Sequence, residues 1–306
     1  MAARAPAAAR ALDPAILPLM RELGDLKRVH SARRDGSVAT RLFEAGWSAW
    51  LDGVTADAVA YRAMAAGLAA TRLGDLDWEK LGELGLDRPA RGEILERGID
   101  AVAGALDSGL VQRLKTDLAN PLPPAGGLPP LITLLRHQPR AGVTGPGLPR
   151  VMLQPEENHA EHSFVVALYA GLLAPCYRAD PSTAFWHGMT HHLHSAAMPD
   201  AGYTGEVLLG DRLDAVIERA RDLALAELPS ATAAACRQHL AAIANDLTPA
   251  AQAFHAADVI DRVLEIDHHL ARSRVTMGVV LDDYGLVHDG PVKAFHDQVL
   301  QEIGLP

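Results

Sequence analysis

The sequence predicts an all-α fold. Apolar residues recur at three- and four-residue spacing through most of the 306 residues, alanine is plentiful while aromatics make up 5%, and no segment reads clearly as a strand. Apolar residues are 49% of the chain and charged residues 22%, which supports a large buried core in one or two domains.

The elements follow in order. Residues 1–13 are Ala/Arg-rich and of low complexity. Asp13-Pro14 suits the cap and first turn of a helix, and helical spacing continues over 16–30. Lys27, Arg28, His30, Arg33, Arg34 and Arg41 form a basic cluster. It reads as a solvated face or as an intramolecular partner for the acidic remainder, with phosphate binding as the alternative. Asp35-Gly36-Ser37 is a turn. A helix over 38–51 places Leu42, Phe43, Trp47 and Trp50 on a core-facing stripe, and one over 55–73 turns Val59, Met64 and Leu68 inward. A short helix at 78–86 and one or two more over 89–118 complete a helical N-terminal domain, residues 1–118.

Residues 119–150 are expected to form a linker or a long irregular loop. Eight of the 20 prolines lie between Pro121 and Pro149, with glycines at 126, 127, 142, 145 and 147. Leu131 to Leu135 is apolar enough to dock on the core. Arg136, His137 and Arg140 read as loop charges, with contact to a substrate phosphate as the alternative.

Residues 151–306 are expected to form a second helical domain. Pro155-Glu156-Glu157-Asn158 opens a helix that stops near Pro175, with acids favoured in its first turn. Asp180-Pro181-Ser182 starts the next. Residues 198–205 read as a loop, 208–228 and 231–247 as helices, and 254–272 as a strongly amphipathic helix. The tail, 275–306, carries a turn at Asp289-Gly290-Pro291 and a last short helix.

Six of the 14 histidines fall in two short windows, His159 and His162 in the first and His187, His191, His192 and His194 in the second. Neutral imidazole is the commonest protein ligand for a transition metal, and windows about thirty residues apart suit neighbouring helices sharing one pocket. Asp258 lies among Ala256, Ala257, Val259 and Ile260, and a buried carboxylate is costly unless paired or bound to a cation. Two or three imidazoles with one carboxylate make an N/O site for Fe, Mn, Zn, Ni or Co, holding one or two ions. His187, His191 and His194 share a helix face and form an alternative stripe, with His192 turned away. Asp200 and Glu206 are candidate extra ligands in a two-metal version. Asp261, Arg262 and Glu265 read as helix-surface or salt-bridge residues, and the remaining histidines, with His159, as ordinary core or surface groups.

The order His162, His191-His192, Asp258 resembles the HD-domain superfamily of metal-dependent phosphohydrolases. The segment from Glu161 to Leu168 is similar to the first motif of its 5′-deoxynucleotidase branch, Ala257 to Arg262 to the last, and Glu206 to Asp211 to a Glu-x-x-x-Gly-Asp segment. The resemblance covers roughly 150–275 and implies an HD-domain-like helical bundle. It implies His162, His191, His192 and Asp258 as metal ligands, Glu206 as general acid/base, and Asp211 beside it in the catalytic segment. His192 stands where the family has aspartate, and Glu206 lies farther from the histidine pair than in that branch. The implied activity is hydrolysis of a small phosphate ester, with a nucleotide as the expected substrate. A di-iron oxygenase and a degenerate domain that binds without turnover are the alternatives.

The net charge of -10 argues against a general nucleic-acid binder. The two cysteines, Cys176 and Cys236, imply no disulfide framework, residues 1–11 lack the apolar core of a signal peptide, and no run approaches a membrane span. A cytoplasmic protein without nucleic-acid or membrane partners is expected. Covering the pocket, dimerisation to a homodimer and binding a regulator are all open roles for the N-terminal unit.

Overall fold

In the computed structural model, which describes residues 12–270 and 276–306, the chain is all-α. The helices before the Pro/Gly-rich stretch are α1 (Leu17–Gly24), α2 (Val38–Leu51), α3 (Ala56–Leu73), α4 (Trp78–Glu83), α5 (Arg88–Asp100) and α6 (Ser108–Asp117). Then come α7 (Pro130–His137), α8 (His159–Leu173), α9 (Pro181–Thr190), α10 (Gly202–Leu209), α11 (Leu213–Leu225), α12 (Ser230–Ala242), α13 (Pro249–Leu270), α14 (Met277–Asp282) and α15 (Lys293–Ile303). Extended pairing among the described residues is limited to isolated bridges, such as Val143 with Val151.

The molecule is arranged around α8. Every residue of that helix is buried. A helix apolar on all sides has no solvent face to offer, so it must be surrounded. Helices α2, α3, α7, α9 and α13 pack against it. Its start is set by a capping box: Asn158 Oδ1 accepts from the Glu161 amide at 2.9 Å, and Glu161 Oε2 accepts from the Asn158 amide at 3.1 Å. The helix therefore begins at His159 and leaves Glu156 and Glu157 ahead of it, whereas the proline-led opening read from the sequence placed those acids inside.

Two contacts fix α9 on α8 and α2. A Cβ on Gly188 would sit 2.4 Å from Ala167 Cα, so glycine is what lets the two backbones approach. Trp186 packs edge-on against Trp47 at 5.6 Å between ring centroids, and its Nε1 donates to the Ala56 carbonyl at 2.9 Å. Apolar side chains from both sides of the Pro/Gly-rich stretch, from Leu12 to Leu305, belong to one continuous core. Within that stretch Leu131, Ile132 and Leu135 of α7 dock into it.

The structure differs from the sequence reading at several ends. Helix α1 stops at Gly24 and passes into a 3-10 turn through Lys27. The stretch expected to loop at 198–205 already starts α10 at Gly202. Helix α13 begins at Pro249, where proline's fixed φ suits a first turn, and not at Phe254. Its expected end at Arg272 and the tail's expected start at Val275 lie outside the described residues. No helix among the described residues is long and apolar enough to cross a membrane.

Candidate metal centre

Three helices bring the site together. Helix α8 supplies His162 from its first turn, α9 delivers His191 at its C-cap, and α13 supplies Asp258 from its middle. All three side chains are buried.

Hydrogen bonds settle which ring nitrogens face the site. His162 Nδ1 lies 2.8 Å from Asp261 Oδ2, and His191 Nδ1 lies 2.6 Å from the Gly188 carbonyl. Both partners are acceptors, so each imidazole carries its proton on Nδ1 and presents a bare lone pair at Nε2. Those two Nε2 atoms are 3.2 Å apart. Two acceptors at that distance repel unless a proton or a metal cation lies between them. Protonating His191 does not supply one at neutral pH, because burial and the neighbouring His162 push its pKa down to about 3.

Asp258 closes the third side. Its Oδ1 is 3.4 Å from His162 Nε2 and 4.0 Å from His191 Nε2, and it is buried without a hydrogen-bond partner. Its Oδ2 accepts from Arg262 at 2.8 Å, which fixes the carboxylate's direction. Burial opposes the charge on Asp258, but the Arg262 guanidinium outweighs it and holds the carboxyl well below the usual range. For tetrahedral ligands about 2.0–2.1 Å from a metal, the ligand–ligand edge is about 3.3–3.4 Å. The edges of 3.2, 3.4 and 4.0 Å fit that geometry after a small inward shift of Asp258. The donor set and the orphaned Asp258 oxygen thus suit a divalent transition metal, and the Asp261–His162 pair is the carboxylate–histidine arrangement that orients a metal-binding imidazole.

His192 lies within reach of the same point, since ligand atoms of His162, His191 and His192 come within 4.8 Å of one another. Its Nε2, however, is 3.2 Å from Arg140 Nη1. A guanidinium can only donate, so Nε2 accepts, the ring proton sits on Nδ1, and Nδ1 is left buried without an acceptor. His192 reaches a metal only by giving up Arg140.

A second group of ligating atoms, Glu157, His162 and Asp261, also lies within 4.8 Å. Its cation is already present. Lys27 Nζ lies 2.7 Å from Asp261 Oδ1, 3.3 Å from Glu265 Oε2 and 2.5 Å from Glu157 Oε1, and Lys27 is 5% exposed. Burial works against this ammonium, yet Asp261, Glu157 and Glu265 together raise its pKa well above the ordinary value. Burial and the adjoining acids Glu265 and Asp261 push the Glu157 carboxyl upward, while Lys27 pulls it down.

Next to the metal position is a cavity of about 160 Å³, lined among others by His162, His192, Arg140, Arg262 and Glu206. The alternative stripe does not converge on it. His187 turns to His239, with Nδ1 atoms 3.1 Å apart, while His194 lines the cavity with its Nδ1 unpartnered. Glu206, half-buried on α10, lies on the cavity wall, whereas Asp211 is exposed in the turn after α10 and is not part of the lining. Asp200 pairs with Arg140 at 3.8 Å and approaches His159 Nε2 at 3.6 Å.

Asp261, Arg262 and Glu265 form salt bridges, one of the two roles expected of them, but Asp261 is 1% exposed and not on the surface, and the sequence did not single out Glu157 or the place of Lys27 among the site's groups. The usable signal was spacing: 258, 261, 262 and 265 lie three, four and seven residues apart, so all four share the inward face of α13. His159, read as ordinary, is buried with neither ring nitrogen in a hydrogen bond. Comparisons with protein-family models, with curated proteins and with solved structures returned no match.

Proposed function

We propose that this chain is a metal-dependent phosphohydrolase that uses one divalent transition-metal ion, held by His162, His191 and Asp258, to cleave a small phosphate ester. The observation that carries the reading is the pair of Nε2 lone pairs 3.2 Å apart beside the orphaned Asp258 oxygen. A bound Fe, Mn, Co, Ni or Zn ion would supply Lewis acidity, lowering the pKa of water toward neutrality and polarising a phosphoryl oxygen.

The protein's own groups supply the rest. Of the carboxylates lining the cavity, Glu157, Asp200 and Glu265 are held by Lys27, Arg140 and Arg28, whereas Glu206 has no ion-pair partner among the described residues. Glu206 is therefore the group that takes a proton from the attacking water and returns it to the leaving alkoxide as the P–O ester bond breaks. Arg140 and Arg262 set positive charge beside the phosphate's oxygens. A cavity of about 160 Å³ is half the lower end of ordinary ligand pockets, ~300 Å³, so it encloses a phosphate group and little more. The substrate's remaining part then projects outward, which widens the expected nucleotide to small phosphate esters in general.

The likeness of the segments around His162 and Asp258 to HD-domain motifs supports phosphate-ester chemistry over other hydrolysis. Lys27 supports one ion over two, since it already neutralises the acids a second metal would need, and this weighs against a di-iron oxygenase. The test is release of phosphate from p-nitrophenyl phosphate and nucleoside monophosphates, with the protein stripped and then reloaded with Mn, Co, Fe, Ni or Zn. Hydrolysis that returns with metal and is lost in His191→Ala is expected. Metal-independent turnover, or none with any loaded ion, contradicts the reading.

A further inference from the structure

A second cavity, about 850 Å³, opens between α2, α3, α4, α5 and the 117–125 stretch. It shares no lining residue with the cavity at the metal position. Its volume lies within the ~300–1,000 Å³ of small-molecule sites. The walls are mainly apolar, with Val38, Leu42, Ala69, Leu95 and Leu122 inside and Leu76, 42% exposed, also in the lining.

The lining holds seven carboxylates and four guanidiniums. Every carboxylate of the lining has a cation partner. Arg34 takes Asp75, Asp77 and Glu79, Arg136 takes Asp35 and Glu44, Lys80 takes Glu83, and Arg113 takes Asp117. Two guanidiniums of the lining, Arg62 and Arg91, have no carboxylate partner among the described residues. Arg62 Nε is buried with no hydrogen bond at all. Arg91 is held in the wall, its Nε donating to the Leu86 carbonyl at 2.7 Å and its guanidinium 5.8 Å from the centroid of the Trp78 ring. A buried donor on a permanent cation is expensive to leave unpaired.

We propose that this chamber binds a small amphipathic anion, an apolar body ending in one carboxylate that pairs with Arg62. A neutral apolar molecule would leave Arg62 unpaired. A polyanion such as a nucleotide would meet seven carboxylates, and the apolar walls offer its phosphates nothing.

The experiment is isothermal titration calorimetry of the full chain with decanoate, decanol and decyltrimethylammonium, each below its micelle concentration. Decanoate is expected to bind saturably at one site and the other two much more weakly. Arg62→Gln is expected to weaken decanoate ~10-fold or more, the loss of one charge-assisted contact, and to leave decanol unchanged. Ala66→Phe, which fills the chamber from α3, is expected to abolish decanoate binding with metal content unaltered. It serves as the deciding variant if Arg62→Gln does not fold. Equal affinity for decanoate and decanol, decanoate binding unchanged in either folded variant, or no binding of decanoate overturns the proposal.

Discussion

Replacing Lys27 by methionine removes one charge from the interior while keeping nearly the same volume. Three carboxylates surround the Lys27 ammonium. Without it, Glu265 keeps Arg28 at 2.6 Å and His269 at 2.9 Å, and Asp261 keeps His162 at 2.8 Å. Glu157 keeps nothing closer than His162 Nδ1 at 3.8 Å. Removing one partner of a buried ion pair costs about 3–5 kcal/mol, because the other charge stays behind unpaired. Against a typical stability of about 5–15 kcal/mol this is large, and it corresponds to a Tm lowered by about 5–8 °C for a chain of this size. Urea denaturation of wild type, Lys27→Met, Glu157→Gln and the double variant closes the cycle, and the double variant should recover at least about 1 kcal/mol. The pH dependence has a definite sign. A carboxyl left unpaired in the core has a folded pKa above its unfolded value, so the native state holds a proton that the unfolded state releases. The variant's deficit is then largest at neutral pH and shrinks as pH falls through the folded value. A loss under about 1 kcal/mol, or a deficit independent of pH, would show that Lys27 does not neutralise these acids.

Further outcomes follow from the same geometry. Gly188→Ala drives a methyl into the Ala167 backbone and parts α8 from α9; it should destabilise by about 1–3 kcal/mol and weaken metal binding, read by thermal denaturation and metal titration. Asp261→Asn leaves the three proposed ligands in place but loosens the His162 ring, and metal affinity should fall about 10–100-fold with the helical circular dichroism unchanged. Two histidines outside the site are held neutral by burial first, His187 at about 3 and His296 at about 4. Their folded pKa values lie below the unfolded ~6.5, so their contribution is full above that pH and is lost as pH falls toward 4. Each steepens acid destabilisation by up to about 1.4 kcal/mol per pH unit, measurable from denaturation midpoints at pH 4 to 7. Burial pushes the Cys236 thiol up to about 12, so iodoacetamide at pH 8 should leave Cys236 unmodified in the folded protein and alkylate it in urea.

Much of the architecture was legible because its signals are local. The Asp180-Pro181 start of α9, the aromatic stripe of α2 and the turn at 35–37 each depend on a few neighbouring residues. The convergence of His162, His191 and Asp258 was readable as well, since histidine within apolar helices and aspartate among alanines are expensive placements that need a partner. What escaped depends on distant pairing. Lys27 looks like any member of a basic cluster until α13, more than two hundred residues later, places Asp261 and Glu265 beside it. The conflict between Arg140 and His192 is hidden for the same reason, because a loop arginine reveals its acceptor only once 140 and 192 are adjacent in space. The end of α1 at Gly24 and the start of α10 at Gly202 were missed because helical spacing does not mark where a turn tightens.

The most direct measurement is the number of metal ions per chain, by mass spectrometry of the purified protein after loading and exhaustive dialysis. One ion per wild-type chain is expected, with none retained by His191→Ala or Asp258→Ala variants that keep wild-type helicity. A wild-type protein that retains no ion, or an Asp258→Ala variant that holds one as tightly as wild type, would contradict a metal centre at His162, His191 and Asp258.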